Sequence, residues 1–166
     1  MSSRLPTRLL FVCLGNICRS PSAENIMNHL IKQQQLTDRI VCDSAGTSSY
    51  HIGSEPNPRM ATAAQKKGIT LEGSARQFTK ADFQNFDLIL AMDRSNYQDI
   101  LSVAGNDSEA LGAQQKVKLM CDFCHSHDDR EVPDPYYGGE AGFDYVIDLL
   151  TDACEGLLAA VEADLI

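Results

Sequence analysis

Arg8 to Cys13 reads RLLFVC, a short apolar run without polar alternation, and it limits the folds open to this chain. A strand that is apolar on both sides must be covered on both sides, as an inner strand of a parallel sheet is. The covering elements follow in order. From Pro21, apolar Ala23, Ile26, Met27, Leu30 and Ile31 recur at helical spacing, with Ser20 suited to the N-cap and Pro21 to the first turn. Ile40 to Ala45 reads as a second strand, and a helix runs from about Pro58 to Lys67, stopping at Gly68. Thr79 followed by Asp82 marks a short helix start. Asp87 to Met92 (DLILAM) is a buried strand, backed by a helix from Arg94 to Ala104 that Gly105 closes. Lys116 to Met120 (KVKLM) alternates lysine with apolar residues and belongs nearer an edge. After a long polar loop, Phe143, Val146, Ile147, Leu150, Cys154, Leu157, Leu158 and Val161 form the stripe of a last helix. Four strands alternating with helices predict a parallel sheet covered on both faces, with ligands beyond the carboxyl ends of its strands.

Residues 1–7 read as a polar tail and residues 8–166 as one domain, long enough to fold without metal or disulfide staples. No apolar stretch approaches the roughly 20 residues that span a bilayer, so a cytoplasmic protein is expected. The six cysteines are then expected to be thiols. A net charge of −9, from 23 acidic against 14 basic residues, disfavours nucleic acid and anionic membranes as partners. It also repels phosphorylated molecules at long range, so any anion site must work through local donors.

Such donors are concentrated in CLGNICRS, Cys13 to Ser20, between the first strand and the first helix. The backbone N–H groups of Leu14, Gly15, Asn16, Ile17, Cys18 and Arg19 can curl toward one centre, where the helix N-terminus adds partial positive charge. Gly15 permits a positive φ or a close approach, and Asn16 tolerates the left-handed region while its amide braces the loop. Arg19 offers a planar fork for two phosphate oxygens. The same donors favour a thiolate, so Cys13 is expected to be ionised at neutral pH and able to attack phosphorus, with Ser20 donating to its sulfur.

VCLGNICRSPSAE, Val12 to Glu24, resembles the signature of the low-molecular-weight protein-tyrosine phosphatases. The resemblance implies a doubly wound, four-stranded α/β sheet, a flavodoxin-like three-layer sandwich. It also implies Cys13 as nucleophile, Arg19 as phosphate clamp, and Asn16 and Ser20 as loop braces. A nucleophile alone leaves the phenolate without a proton. DPYYGG, Asp134 to Gly139, supplies an acid: Pro135 holds Asp134 extended, and Tyr136 and Tyr137 can wall an aromatic slot. This matches the second motif of the family. Resemblance also implies a rim role for Tyr50, a brace on Asn16 from Ser44, a loop tie from Asp93, and capture of an oxidised Cys13 by Cys18. Tyrosine-phosphorylated proteins are the expected partners, and the chain is expected to be a monomer, with weak self-association left open. No metal or other cofactor is expected, because the loop and Arg19 supply the positive field.

CDFCHSH, Cys121 to His127, has no second cysteine pair to close a zinc site and reads as a solvated loop. His29 and His51 read as surface residues. Three other activities are consistent with parts of the pattern. Arsenate reductases share the loop but relay a disulfide through further cysteines, which Gln77 to Ala104 lacks and which only Cys121 and Cys124 could replace. Protein arginine phosphatases typically carry threonine where Ile17 stands. A non-catalytic phosphate-binding module would need neither Cys13 nor Asp134.

Overall fold

The computed structural model describes residues 5–136 and 138–164. Strand β1, Thr7–Cys13, lies inside a four-stranded, all-parallel sheet of order β2-β1-β3-β4, completed by β2 (Ile40–Gly46), β3 (Leu88–Ala91) and β4 (Val117–Leu119). Its apolar run explains the position: Leu9, Leu10, Phe11 and Val12 are all fully buried, with alternate residues facing opposite layers. Leu9, Phe11 and Cys13 pack with helices α1 (Arg19–Gln33), α2 (Pro58–Gln65) and α6 (Glu140–Glu162). Leu10 and Val12 face the layer of α3 (Asp82–Asn85), α4 (Arg94–Ala104) and α5 (Ser108–Gly112). Each large apolar side chain buried this way contributes about 1.5–3 kcal/mol, which makes β1 a rigid floor for the loop that follows it. The architecture is the three-layer, flavodoxin-like α/β fold that the sequence predicts.

Local chemistry sets the element ends, and several differ from expectation. The first strand begins at Thr7, one residue inside the predicted tail. Asn57 caps α2 by accepting from Arg59 and Met60 N–H, and the helix ends at Gln65 rather than Lys67, followed by Gly68 at φ 79°. In α3, Asp82 takes the Thr79 N–H at 2.8 Å, the return half of a capping box. Short α5 and the 3-10 turns at Gln114–Lys116 and Met120–Phe123 carry too few residues for a periodic signal.

Ser20 is not the N-cap of α1. The helix begins at Arg19 with Cys18 in the cap position, and no side chain caps it. The buried Ser20 hydroxyl turns instead toward Cys13.

Behind the sheet, Asp152 of α6 fixes the loop after β4. It accepts the N–H groups of His125, Ser126 and His127 at 2.9–3.0 Å and contacts His127 Nδ1 at 2.8 Å. Burial opposes its charge, but these donors outweigh that and hold the carboxyl down to about 2. CDFCHSH therefore serves as an anchored connection. Gly156 allows the anchoring, because a Cβ there would stand 1.8 Å from Phe123 O.

Candidate active site

The carboxyl ends of β1 and β2 and the N-terminus of α1 meet at a cleft of about 240 Å³. Cys13, Arg19 and Asp134 all line it, together with Leu14, Gly15, Ile17 and Cys18 of the loop. A larger recess, about 520 Å³, lies at the opposite ends of β1 and β2 around Thr7, Ile40 and Val161, and its lining holds no cysteine or histidine.

The loop is braced from beneath. Gly46 ends β2 where a Cβ would fall 2.8 Å from Leu14 O, so only glycine lets the two backbones meet. Thr47 and Ser48 N–H donate to the carbonyls of Cys13 and Leu14 at 2.9 and 3.0 Å. Asn16 adopts φ 58°, the left-handed conformation its residue type tolerates. Gly15 does not; its missing side chain makes room for His51, whose Cδ2 a Cβ would meet at 2.9 Å. The positive φ thus falls on Asn16 and the close approach on Gly15.

Hydrogen bonds around Asn16 have a fixed direction. Its Oδ1 accepts Arg76 N–H at 3.0 Å, so its Nδ2 must face Ser20 Oγ at 2.8 Å and Ser44 Oγ at 3.0 Å. Ser44 in turn donates to Glu24 Oε1 at 2.5 Å. Burial pushes Glu24 up to about 6 even though Ser44 donates to it. Ser20 Oγ accepts from Asn16, and its single proton has two acceptors in reach, Cys13 Sγ at 3.0 Å and Ala45 O at 3.3 Å, the sulfur being the nearer. The Asn16 N–H adds a second donor to that sulfur at 3.3 Å.

Arg19 is buried and held by groups outside the loop. Its NH1 donates to Asp93 Oδ2 at 2.7 Å and to Val132 O at 3.1 Å, while NH2 lies 3.6 Å from Asp134 Oδ2. Burial works against the guanidinium charge, but Cys13, Asp93 and Asp134 more than offset it, and the pKa moves above the ordinary arginine range. Asp93 also caps α4 through Asn96 N–H at 2.7 Å, tying one helix start to the other. Burial first, then the nearby Cys13 and Asp134 charges, push the Cys18 thiol up to about 12, so it keeps its proton.

Asp134 stands across the mouth with its side chain 38% exposed, its Oδ1 accepting Tyr136 N–H at 3.0 Å. Tyr50, 80% exposed, and Tyr136 complete the rim. Tyr137 lies outside the described residues. Asn16, Ser20, Ser44 and Asp93 do not line the cleft; Asn16 and Ser20 touch Cys13 Sγ, Ser44 touches Asn16 and Asp93 touches Arg19. The surface reading of His51 is corrected: its ring packs against Gly15, lies 6.3 Å from the Tyr136 ring and lines the cleft. The two motifs bracketing the cleft gave no signal for it, since a lone histidine in a polar loop has no periodicity to betray its direction.

Among the described residues no helix is long and apolar enough to cross a membrane.

Residues 8–165 match the family described as low molecular weight phosphotyrosine protein phosphatase. A Synechocystis protein is 57% identical, over 96% of this chain and 99% of its own. YfkJ of Bacillus subtilis, named as a low molecular weight protein-tyrosine phosphatase, is 39% identical over 94% of this chain and 96% of its own. The crystal structure of a protein tyrosine phosphatase from Entamoeba histolytica, with Hepes in its active site, superimposes with a TM-score of 0.90. It is 46% identical and covers 96% of this chain and 99% of its own. With this similarity over nearly its full length, the chain belongs to the low molecular weight phosphotyrosine protein phosphatase family.

Proposed function

We propose that the protein hydrolyses phosphotyrosine in proteins, and small aryl phosphates, through a phosphocysteine intermediate on Cys13. The observation that carries this reading is the sulfur of Cys13 receiving donors from Asn16 N–H and Ser20, beside the Arg19 guanidinium and opposite Asp134. The phosphoryl oxygens sit among the loop amides and Arg19, which supply fixed positive charge where negative charge develops. The thiolate of Cys13 forms the S–P bond as the P–O bond to the aryl group breaks, and protonated Asp134 gives its proton to the departing phenolate. A water then attacks phosphorus while Asp134, now a carboxylate, takes its proton. The S–P bond breaks, the thiolate returns, and inorganic phosphate leaves.

Tyr50 and Tyr136 are assigned to the rim that flanks the substrate ring. Ser44 and Asp93 hold Asn16 and Arg19 in place, and Cys18 supplies a thiol next to the nucleophile, placed to trap it as a disulfide after oxidation. An arsenate reductase would relay its disulfide through Cys121 and Cys124, but these stand in the turn after β4 and neither lines the cleft that holds Cys13.

Rapid mixing with p-nitrophenyl phosphate tests the proposal. A burst of p-nitrophenol below one per active site, absent in Cys13→Ser, is expected from a covalent intermediate. A protein that binds phosphate without releasing phenol would be a binding module instead.

A further inference from the structure

Arg59 is outside the residues assigned above, yet it connects the two sides of the cleft. It stands in the first turn of α2, whose cap residue Asn57 donates its backbone N–H to Ile17 O of the phosphate loop at 2.8 Å. From that base the guanidinium lies over the Phe143 ring of α6, 4.5 Å from its centroid, and NH2 donates to Gly138 O. Gly138 in turn closes the turn that begins at Pro135, its N–H bonded to Pro135 O at 2.9 Å. The segment carrying Asp134 is therefore held at both ends. Before Asp134, Val132 N–H bonds to Met92 O at 2.8 Å and Val132 O accepts from Arg19; after it, Arg59 holds the turn.

We propose that Arg59 is a positioning residue that sets the reach of Asp134 toward the leaving oxygen. The inference rests on the reading of Asp134 as the general acid. Asp134 itself is weakly held, with a 3.6 Å contact to Arg19 and one backbone N–H on its own carboxylate, so its placement depends on the loop. A general acid acts over about 2.6–3.2 Å, and a displacement of about 1 Å can cost up to about 100-fold in rate. Stacking on Phe143 fixes the planar guanidinium, since the negative face of the ring attracts a cation held over it. Arg59 thus ties the loop that holds the phosphate to the loop that holds the acid.

The test compares kcat/KM for p-nitrophenyl phosphate, whose phenol leaves readily, with that for phenyl phosphate, whose phenol needs a proton. Arg59→Met is expected to lower the phenyl phosphate value about 10-fold, part of the roughly 10²–10⁴ that general acid catalysis supplies, and the p-nitrophenyl value by less than about twofold. Arg59→Lys, which still donates to Gly138 O, should recover most of the loss. In an Asp134→Ala background Arg59→Met should add no further leaving-group dependence, and inhibition by inorganic phosphate should be unchanged, reporting an intact phosphate loop. Equal losses on both substrates, weakened phosphate inhibition, or an undiminished loss without Asp134 would each overturn the proposal. Should Asp134→Ala alone produce no leaving-group dependence, the acid assignment fails and takes this inference with it. A normal Asp134→Ala result with an indifferent Arg59→Met overturns the inference alone.

Discussion

Ser20→Ala removes one oxygen, yet the geometry predicts a change in which step limits turnover. The hydroxyl accepts from Asn16 Nδ2 at 2.8 Å and lies nearer Cys13 Sγ, at 3.0 Å, than its other acceptor, Ala45 O at 3.3 Å, so a thiolate at Cys13 draws its proton. A hydrogen bond to a charged partner contributes about 1.5–3 kcal/mol. In the phosphocysteine intermediate the sulfur is neutral and uses little of this; in the transition state for its hydrolysis negative charge returns to sulfur and the donor matters most. Losing about 1.5–2.5 kcal/mol at that step slows phosphoenzyme breakdown about 10–70-fold. Attack by Cys13 is slowed less, so the intermediate accumulates. Stability should also fall by about 1–3 kcal/mol, because one buried N–H of Asn16 loses its acceptor. Rapid-quench kinetics with p-nitrophenyl phosphate should then give a full burst followed by a steady rate at least about tenfold below the parent. A steady rate that falls without any rise in burst, or a rate unchanged, would show that Ser20 does not stabilise sulfur as a leaving group.

Other residues make separate predictions. Asp134→Ala should lower kcat/KM for phenyl phosphate far more than for p-nitrophenyl phosphate, by a factor within the roughly 10²–10⁴ span of general acid catalysis; a loss equal for both would remove Asp134 from that role. Gly156→Ala places a Cβ 1.8 Å from a backbone oxygen and should cost about 3 kcal/mol or more, lowering Tm by roughly 6–12 °C in a thermal melt. Glu24 is raised from 4.5 to about 6 by burial, so the native protein binds more protons than the unfolded chain across that window and stability falls as pH rises through it, by about 2 kcal/mol from this group. Glu24→Gln should remove that component from denaturant midpoints measured between pH 4.5 and 6.5. Asp152 has the opposite sign: lowered from 3.8 to about 2, its contribution is present above 3.8 and is lost as pH falls through 2, so Asp152→Asn should flatten the acid limb.

The sheet was legible because its strands are buried on both faces: RLLFVC and DLILAM have no alternative as half-exposed strands, and both lie at the centre of the order β2-β1-β3-β4. The cradle was legible because Gly, Asn, Arg and Ser have distinct reasons to occupy a strand-to-helix loop. What the sequence concealed depends on contacts between distant segments. Ser20 reads in sequence both as a helix cap and as a donor to the Cys13 sulfur, and the cap reading fails because the loop winds α1 from Arg19, with Cys18 in the cap position. Gly15 looks like a positive-φ glycine, and the reason for it is an imidazole from 36 positions further along the chain. Arg59 reads as an ordinary helix cation until Gly138 and Phe143 are seen beside it.

The sulfur of Cys13 as the atom that accepts the phosphoryl group is the assignment on which the chemistry depends. Acid-quenched turnover of p-nitrophenyl phosphate by Ser20→Ala, followed by peptide mass spectrometry, tests it most directly. The expected result is a single phosphoryl group on the peptide containing Cys13, lost when Cys13→Ser is added. Phosphate on any other residue, or turnover by Cys13→Ser at the parent rate, would contradict it.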